Sequence, residues 1–287
     1  MSKLQVKGYK VGPKVDQSGL RALYKGIKLS TGQEVFITVM TVRPGRTLDA
    51  LLRRARLSQK LWLLYIVTAI DYGVSGEDRF YFTHIPTPSF PVQQGLQVIQ
   101  DESQRQLSLV HYMTQSLEAL DYLHQAKTTH RDLYTGQIRV DGKDQVILEG
   151  YINPRPKTEG RHLINMVNLP YMSPEQMRGA PADRKADIYS MGVILYELAT
   201  GELPYESNYA KLEDARQGII PSPSRVAPSI APELERVIMK ALAPRSARYP
   251  YLRPMIDDLQ GLRRQQSIWT RVKEFAAQLG GILQVKG

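Results

Sequence analysis

The chain contains no cysteine. That excludes a disulfide frame, a thiolate metal site and a cysteine nucleophile. It also lacks any apolar run near the ~18 residues a membrane-crossing helix needs. Met1-Ser2-Lys3-Leu4 has none of the charged-then-apolar layout of a secretion signal, so a cytoplasmic location is the expectation. Internal repeats and low-complexity blocks are absent as well, which argues against a solenoid or a biased tail. The basic residues read most simply as a solvated surface, and no nucleic-acid partner is expected.

What is present suffices for a large core: 287 residues, 42% of them hydrophobic, can form one two-lobed domain or two smaller ones. The formal net charge of +10 is uneven. Residues 1–60 carry 13 Lys+Arg against 3 acids, the middle of the chain is mildly acidic, and residues 243–287 carry 8 against 3. Such basic ends attract acidic protein surfaces or lipid headgroups.

Period-two patterning from Tyr9 to Met40, with "STGQ" at Ser30–Gln33 as a turn, predicts strands. A helix is predicted from Leu48 to Leu61, with Leu51, Leu52, Ala55 and Leu57 inward and Arg53, Arg54 and Arg56 distributed around it. "YIVTAIDYGV" and "RFYFTHI" then read as strands, and "PTPSFP" (Pro86–Pro91) as a connector that proline keeps from being helix or central strand. From Ser103 the spacing changes: Leu107, Val110, Met113, Leu117, Leu120 and Leu123 recur every three or four residues and predict a long core helix. Further helices are predicted over 183–200, 206–217, 232–242 and 253–264. A last amphipathic stretch carries Ile268, Trp269, Val272, Phe275, Ala276 and Leu279 on one face.

Four motifs stand in a telling order: "HRDL" (His130–Leu133), "YMSPEQ" (Tyr171–Gln176), "ADIYSMGVILYELATGELPY" (Ala186–Tyr205) and "RY" (Arg248, Tyr249). In that order and spacing the sequence resembles bacterial members of the eukaryotic-like serine/threonine protein kinase family, over residues 9–263. The resemblance implies an α+β, bilobal fold. It divides the chain into a β-rich N-lobe (1–85), a helical C-lobe (86–263) and an amphipathic tail (264–287). The tail either docks on the body or reaches a partner or membrane.

The same resemblance implies where ATP, two Mg²⁺ ions and the acceptor hydroxyl would be held, and at most of those positions the expected atoms are missing. The lysine of V-A-I-K is Thr38 in "VFIT", and its acidic helix partner is Arg54. Tyr134, Thr135, Gly136 and Gln137 stand at Lys-Pro-x-Asn. Glutamine keeps the amide but is a methylene longer, which strains octahedral Mg²⁺ geometry. The ungapped register puts D-F-G on Gly150-Tyr151-Ile152, leaving no ligand atom at Gly150 and an aromatic at Tyr151. A one-residue shift would offer Glu149 instead, at the loss of that aromatic match. The phosphate-covering glycines map to Asp16, Ser18 and Arg21, a degraded cradle with an added negative charge.

At the adenine slot, the ceiling and floor positions are Phe36 and Arg139. They are expected to fill the slot, and could stack as a cation–π pair, unless Phe36 turns into the lobe's core. Scaffold residues are retained: Glu175 with Arg248 as a buried pair, and Asp187 bracing His130 and Arg131. Asp132 stands where the base would be. The expectation is a pseudokinase that binds neither ATP nor metal and acts as a protein-docking module for an active kinase or an acidic surface. Candidate contacts are the arginine-rich helix, "NPRPKTEGRHL" with Thr158, and the tail. Two alternatives remain open: an atypical enzyme with Arg21 as the phosphate-gripping cation and Glu149 on the metal, and a nucleotide-binding switch without chemistry.

Overall fold

The structure is a computed structural model that describes residues 4–18, 20–42, 45–60, 65–152, 168–205 and 220–264. The predicted helix at 206–217, the segment around Thr158, Gly19 and the tail beyond 264 lie outside the described residues. The chain forms two compact units, Met1–Phe90 with Gln137–Asn165, and Pro91–Gly136 with Met166–Gly287.

The first unit is built on strands β1 (Tyr9–Ser18), β2 (Arg21–Lys28), β3 (Glu34–Thr41), β4 (Asp71–Ser75) and β5 (Arg79–His84). They form one antiparallel sheet in the order β1-β2-β3-β5-β4. Alternation sends Val35, Ile37 and Val39 of β3 into a core with Val6, Tyr9 and Tyr81. Helix α1 (Arg46–Lys60) buries Leu51 and Ala55, leaves Leu52 and Leu57 half-buried, and exposes Arg53 and Arg56. Its i, i+4 spacing explains the buried seam.

The strand expected from Tyr65 is shorter than its apolar run suggests and begins only at Asp71. Tyr65–Val67 turn their backbone to a second sheet, with Leu148 N–H donating to Tyr65 (2.6 Å) and Val67 N–H donating to Leu148 (3.1 Å). That sheet has the order β6 (Ser89–Pro91), β7 (Ile138–Asp141), β8 (Val146–Leu148). Pro91 sits on its edge strand, where a missing N–H costs no ladder bond.

The second unit is helical. Short α2 (Val92–Gln97) leads to α3 (Glu102–Gln125), whose N-cap Asp101 accepts from the Gln104 N–H at 2.7 Å. Val110, Met113, Leu117, Leu120 and Leu123 are buried along it, and Leu107 is half-buried. α4 (Pro174–Met177) opens with a reciprocal capping box between Ser173 and Gln176. α5 (Arg184–Thr200) starts at the N-cap Asp183 and stops at left-handed Gly201. It is buried on every side from Ala186 to Tyr196, as its unbroken apolar run requires of a central helix. α6 (Pro223–Val226), α7 (Pro232–Leu242) and α8 (252–264) pack apolar faces inward. No described helix is long and apolar enough to cross a membrane.

Gly192 sets the approach of α5 to α7: a Cβ there would lie 2.8 Å from Ala241 Cβ and 3.0 Å from a Leu242 methyl. Gly192→Val is therefore expected to overpack this contact and cost about 1–3 kcal/mol. A lowered midpoint in urea unfolding checks it; an unchanged midpoint refutes the close packing.

Candidate functional site

In the helical unit, one buried carboxylate organises the HRD turn. Asp187, on the first turn of α5, accepts the N–H groups of His130 (2.8 Å) and Arg131 (2.9 Å), and faces His124 Nε2 at 2.9 Å. Three donors on one 1%-exposed aspartate offset its desolvation. The clamp holds Arg131 at φ 76°, a left-handed conformation uncommon for a side-chain-bearing residue. Asp132, next in the chain, accepts from Asn168 Nδ2 at 2.7 Å. Asn168 was not among the sequence candidates. Its only signal is a polar side chain three residues before the Tyr171 motif, at a position that is 3% exposed.

Beyond Asp132, Tyr134 packs tilted on Tyr171 (ring centroids 6.3 Å apart), and Thr135 is hydrogen-bonded to Glu197. Glu197 also accepts from Tyr171 Oη (2.7 Å) and Gln93 Nε2 (3.2 Å). Burial, reinforced by the Glu197 charge, pushes the Tyr171 phenol far above its ordinary range. It therefore serves as a hydrogen-bond donor.

Glu175 and Arg248 form the retained pair, with Arg248 Nη1 2.7 Å from Glu175 Oε1 and also donating to the Lys185 carbonyl. The Arg248 guanidinium lies over the Tyr189 ring at 4.9 Å.

The first unit carries most of the positions expected from the sequence to differ from the kinase pattern. Gly150, φ +84°, lies so close to Gln137 that a Cβ would fall 2.3 Å from Gln137 Nε2. The two replacements thus occupy one volume. Tyr151 is 1% exposed. Arg54 of α1 reaches it twice: Nη1 donates to the Tyr151 carbonyl at 2.6 Å, and the guanidinium sits 4.7 Å from the ring centroid. The Arg54 cation is thereby fastened to the Gly150–Tyr151 turn. Thr38 is fully buried, and among the described residues its Oγ1 has no hydrogen-bond partner.

The stacked pair considered for the adenine slot is not formed among the described residues. Phe36 instead packs tilted on His84 at 5.7 Å. Arg139 is drawn away because a better set of acceptors is near: Nε donates to Ser89 Oγ at 2.9 Å, Nη2 to the Ser89 carbonyl, and Glu149 lies 3.7 Å off. Bonds to oxygen outweigh a ring face for a guanidinium.

The residues matched to the phosphate-covering loop lie on paired strands, Asp16 opposite Leu23 and Ser18 opposite Arg21. Arg21 is half-buried, its Nε has no partner among the described residues, and its charge is felt by Glu149 and His84. Burial pushes the Glu149 carboxyl above the usual range against the pull of Arg139 and Arg21. Burial, with Arg21 adding to it, pulls the His84 imidazole down to about 4.

The protein kinase domain family matches residues 22–253. The chain belongs to that family. It is 28% identical over 271 residues to serine/threonine-protein kinase pkn3 of Myxococcus xanthus, covering 84% of this chain and 47% of that one. It is 33% identical over 139 residues to serine/threonine-protein kinase PrkC of Bacillus subtilis, covering 47% of this chain and 22% of that one. The kinase domain thus spans less than half the length of these curated relatives. In fold it is similar to the crystal structure of the Mycobacterium tuberculosis PknI kinase domain, with a TM-score of 0.69 at 20% identity over 90% of this chain and 97% of that one. The fold is that of a protein kinase, with a β-sheet N-lobe and a helical C-lobe.

Two outcomes follow. Arg54→Ala removes a charge-assisted bond and a ring contact and should destabilise by about 1–3 kcal/mol, with Arg54→Lys intermediate because an ammonium lacks the planar fork; denaturant midpoints of the three proteins check the order. Burial raises the Glu175 carboxyl, but its bonds to Arg248 outweigh that and hold it below the ordinary range. A group lowered on folding contributes stability above its unfolded value and loses it as pH falls through the folded one. Glu175→Gln should therefore flatten the acid side of a Tm-against-pH curve, and lower Tm at neutral pH because Arg248 is left uncompensated.

Proposed function

We propose that this kinase domain transfers no phosphate and works as a protein-docking or regulatory module. The observation that carries the reading is the shared volume of Gly150 and Gln137. A metal-binding aspartate at 150 would need both a left-handed backbone and the displacement of a buried amide. Thr38, with no cation, and Arg54, with the wrong charge and a different partner, point the same way. Each of these groups in an active kinase is asked for several kcal/mol of transition-state stabilisation, so their joint replacement should leave a rate near the uncatalysed one. The residues present do not fit Mg²⁺ with a triphosphate. Glu149, the carboxylate a shifted register would offer, has the Arg139 guanidinium 3.7 Å away and also feels the charge of Arg21, and both oppose a divalent cation. Asp132 keeps an acceptor bond within the scaffold and, without metal and phosphate grip, has no proton to take. The partner class proposed is protein, met through the basic surfaces that charge patterning marks out.

A second reading is favoured by one observation, the Nε of Arg21 that is buried without a partner among the described residues. Arg21 would then supply the phosphate-gripping cation for a nucleotide held without chemistry. Thermal unfolding with excess ATP, with and without Mg²⁺, separates the two. A ligand at ~100 times its dissociation constant stabilises by about 2.7 kcal/mol. No shift, and no labelling of a general substrate protein by the purified chain, is the expected result. A shift abolished by Arg21→Ala but without turnover selects the switch, and Mg²⁺-dependent labelling lost in Asp132→Asn would falsify both.

A further inference from the structure

We propose that a basic concavity on the helical unit is a docking site for a phosphorylated side chain of a partner protein. The hollow has a volume of about 490 Å³ and lies where the end of α3, the HRD turn, the start of α5 and the 245–250 turn meet. Its wall carries Lys127, Arg131, Arg184, Lys185 and Arg245, against a single carboxylate, Asp183.

That carboxylate is already neutralised. Arg245 reaches Asp183 with two nitrogens, at 3.1 and 2.5 Å, and the contact draws the Asp183 carboxyl below its ordinary range. The other four cations are not paired with a carboxylate among the described residues. Arg131 Nε donates to the Thr129 hydroxyl at 2.9 Å, Arg184 Nη2 to the His124 carbonyl at 2.5 Å and Lys185 Nζ to the Arg245 carbonyl at 2.8 Å. These bonds to neutral acceptors fix the direction of three positive groups and cancel none of their charge. Lys127 is exposed on a left-handed residue. The wall therefore keeps four uncompensated positive charges around one hollow, and that many like charges are held together at an electrostatic cost that a polyvalent anion relieves.

Three features choose the anion. Guanidinium forks match phosphate oxygens in geometry as well as charge. Among the described residues no aromatic side chain lines the hollow, so a nucleotide base or single-stranded nucleic acid finds nothing there to stack on. The volume exceeds that of a lone phosphate, leaving room for the residue that carries it and its neighbours. A phosphorylated serine or threonine within a protein segment satisfies all three. The site gives the docking-module reading its partner chemistry, and its test reads binding alone, so it stands or falls separately from whether the chain transfers phosphate.

The experiment titrates the full chain with N-acetyl-phosphothreonine N-methylamide and, in parallel, with its unphosphorylated form, inorganic phosphate and vesicles containing phosphatidylinositol phosphate. Amide shifts in an NMR spectrum are followed. Saturable shifts at Thr128–Arg131 and at Arg184–Lys185 with the phosphothreonine probe, weakening as salt is added, are expected. Lys127→Glu, at an exposed position, should leave the unfolding midpoint unchanged and weaken binding about tenfold. The proposal is overturned by equal shifts from the unphosphorylated probe, by tighter binding of inorganic phosphate than of phosphothreonine, by binding to vesicles only, or by full affinity in a folded Lys127→Glu.

Discussion

The helical unit is organised around one buried charge. Asp187 draws two backbone donors and an imidazole to itself, and every feature of the HRD turn follows from that. An unpaired carboxylate at 1% exposure would be prohibitive. With three donors it becomes a rigid post. It forces Arg131 into a left-handed backbone, sets the exit direction of Asp132, and aligns the end of α3 with the start of α5. The basic hollow is a by-product of the same alignment, since its wall comes from those segments.

Two charged contacts thus hold the helical unit together independently of any ligand. The Asp187 clamp and the Glu175–Arg248 pair stabilise the folded chain whether or not anything is phosphorylated, and removing one partner strands the other. Groups that touch only nucleotide or metal have no such structural hold. Thr38 and Gln137 are buried, and Arg54 and Gly150 meet at the same turn beside Tyr151.

Much of the architecture was legible in the sequence. The heptad-like spacing from Leu107 to Leu123, the proline at the start of α7 and the apolar run of α5 each determine one element with little help from tertiary context. What was not legible depends on partners distant in the chain. Tyr65–Val67 look like a strand of the large sheet because their side chains suit one, but their backbone pairs with β8. Arg139 looks like a stacking partner for Phe36 until Ser89, fifty residues earlier, supplies two oxygens. Arg54 reads as an inverted charge, and only its distance to the Tyr151 carbonyl reveals it as a tether. Asn168 has no motif of its own, and its role rests wholly on which carboxylate the fold brings opposite.

The contact between Gly150 and Gln137 also ties together what each position can accept. A side chain placed at 150 would meet the end of the glutamine, and shortening the glutamine would leave a void beside a glycine. The two positions are therefore coupled, and the effect of changing both should differ from the sum of the single changes.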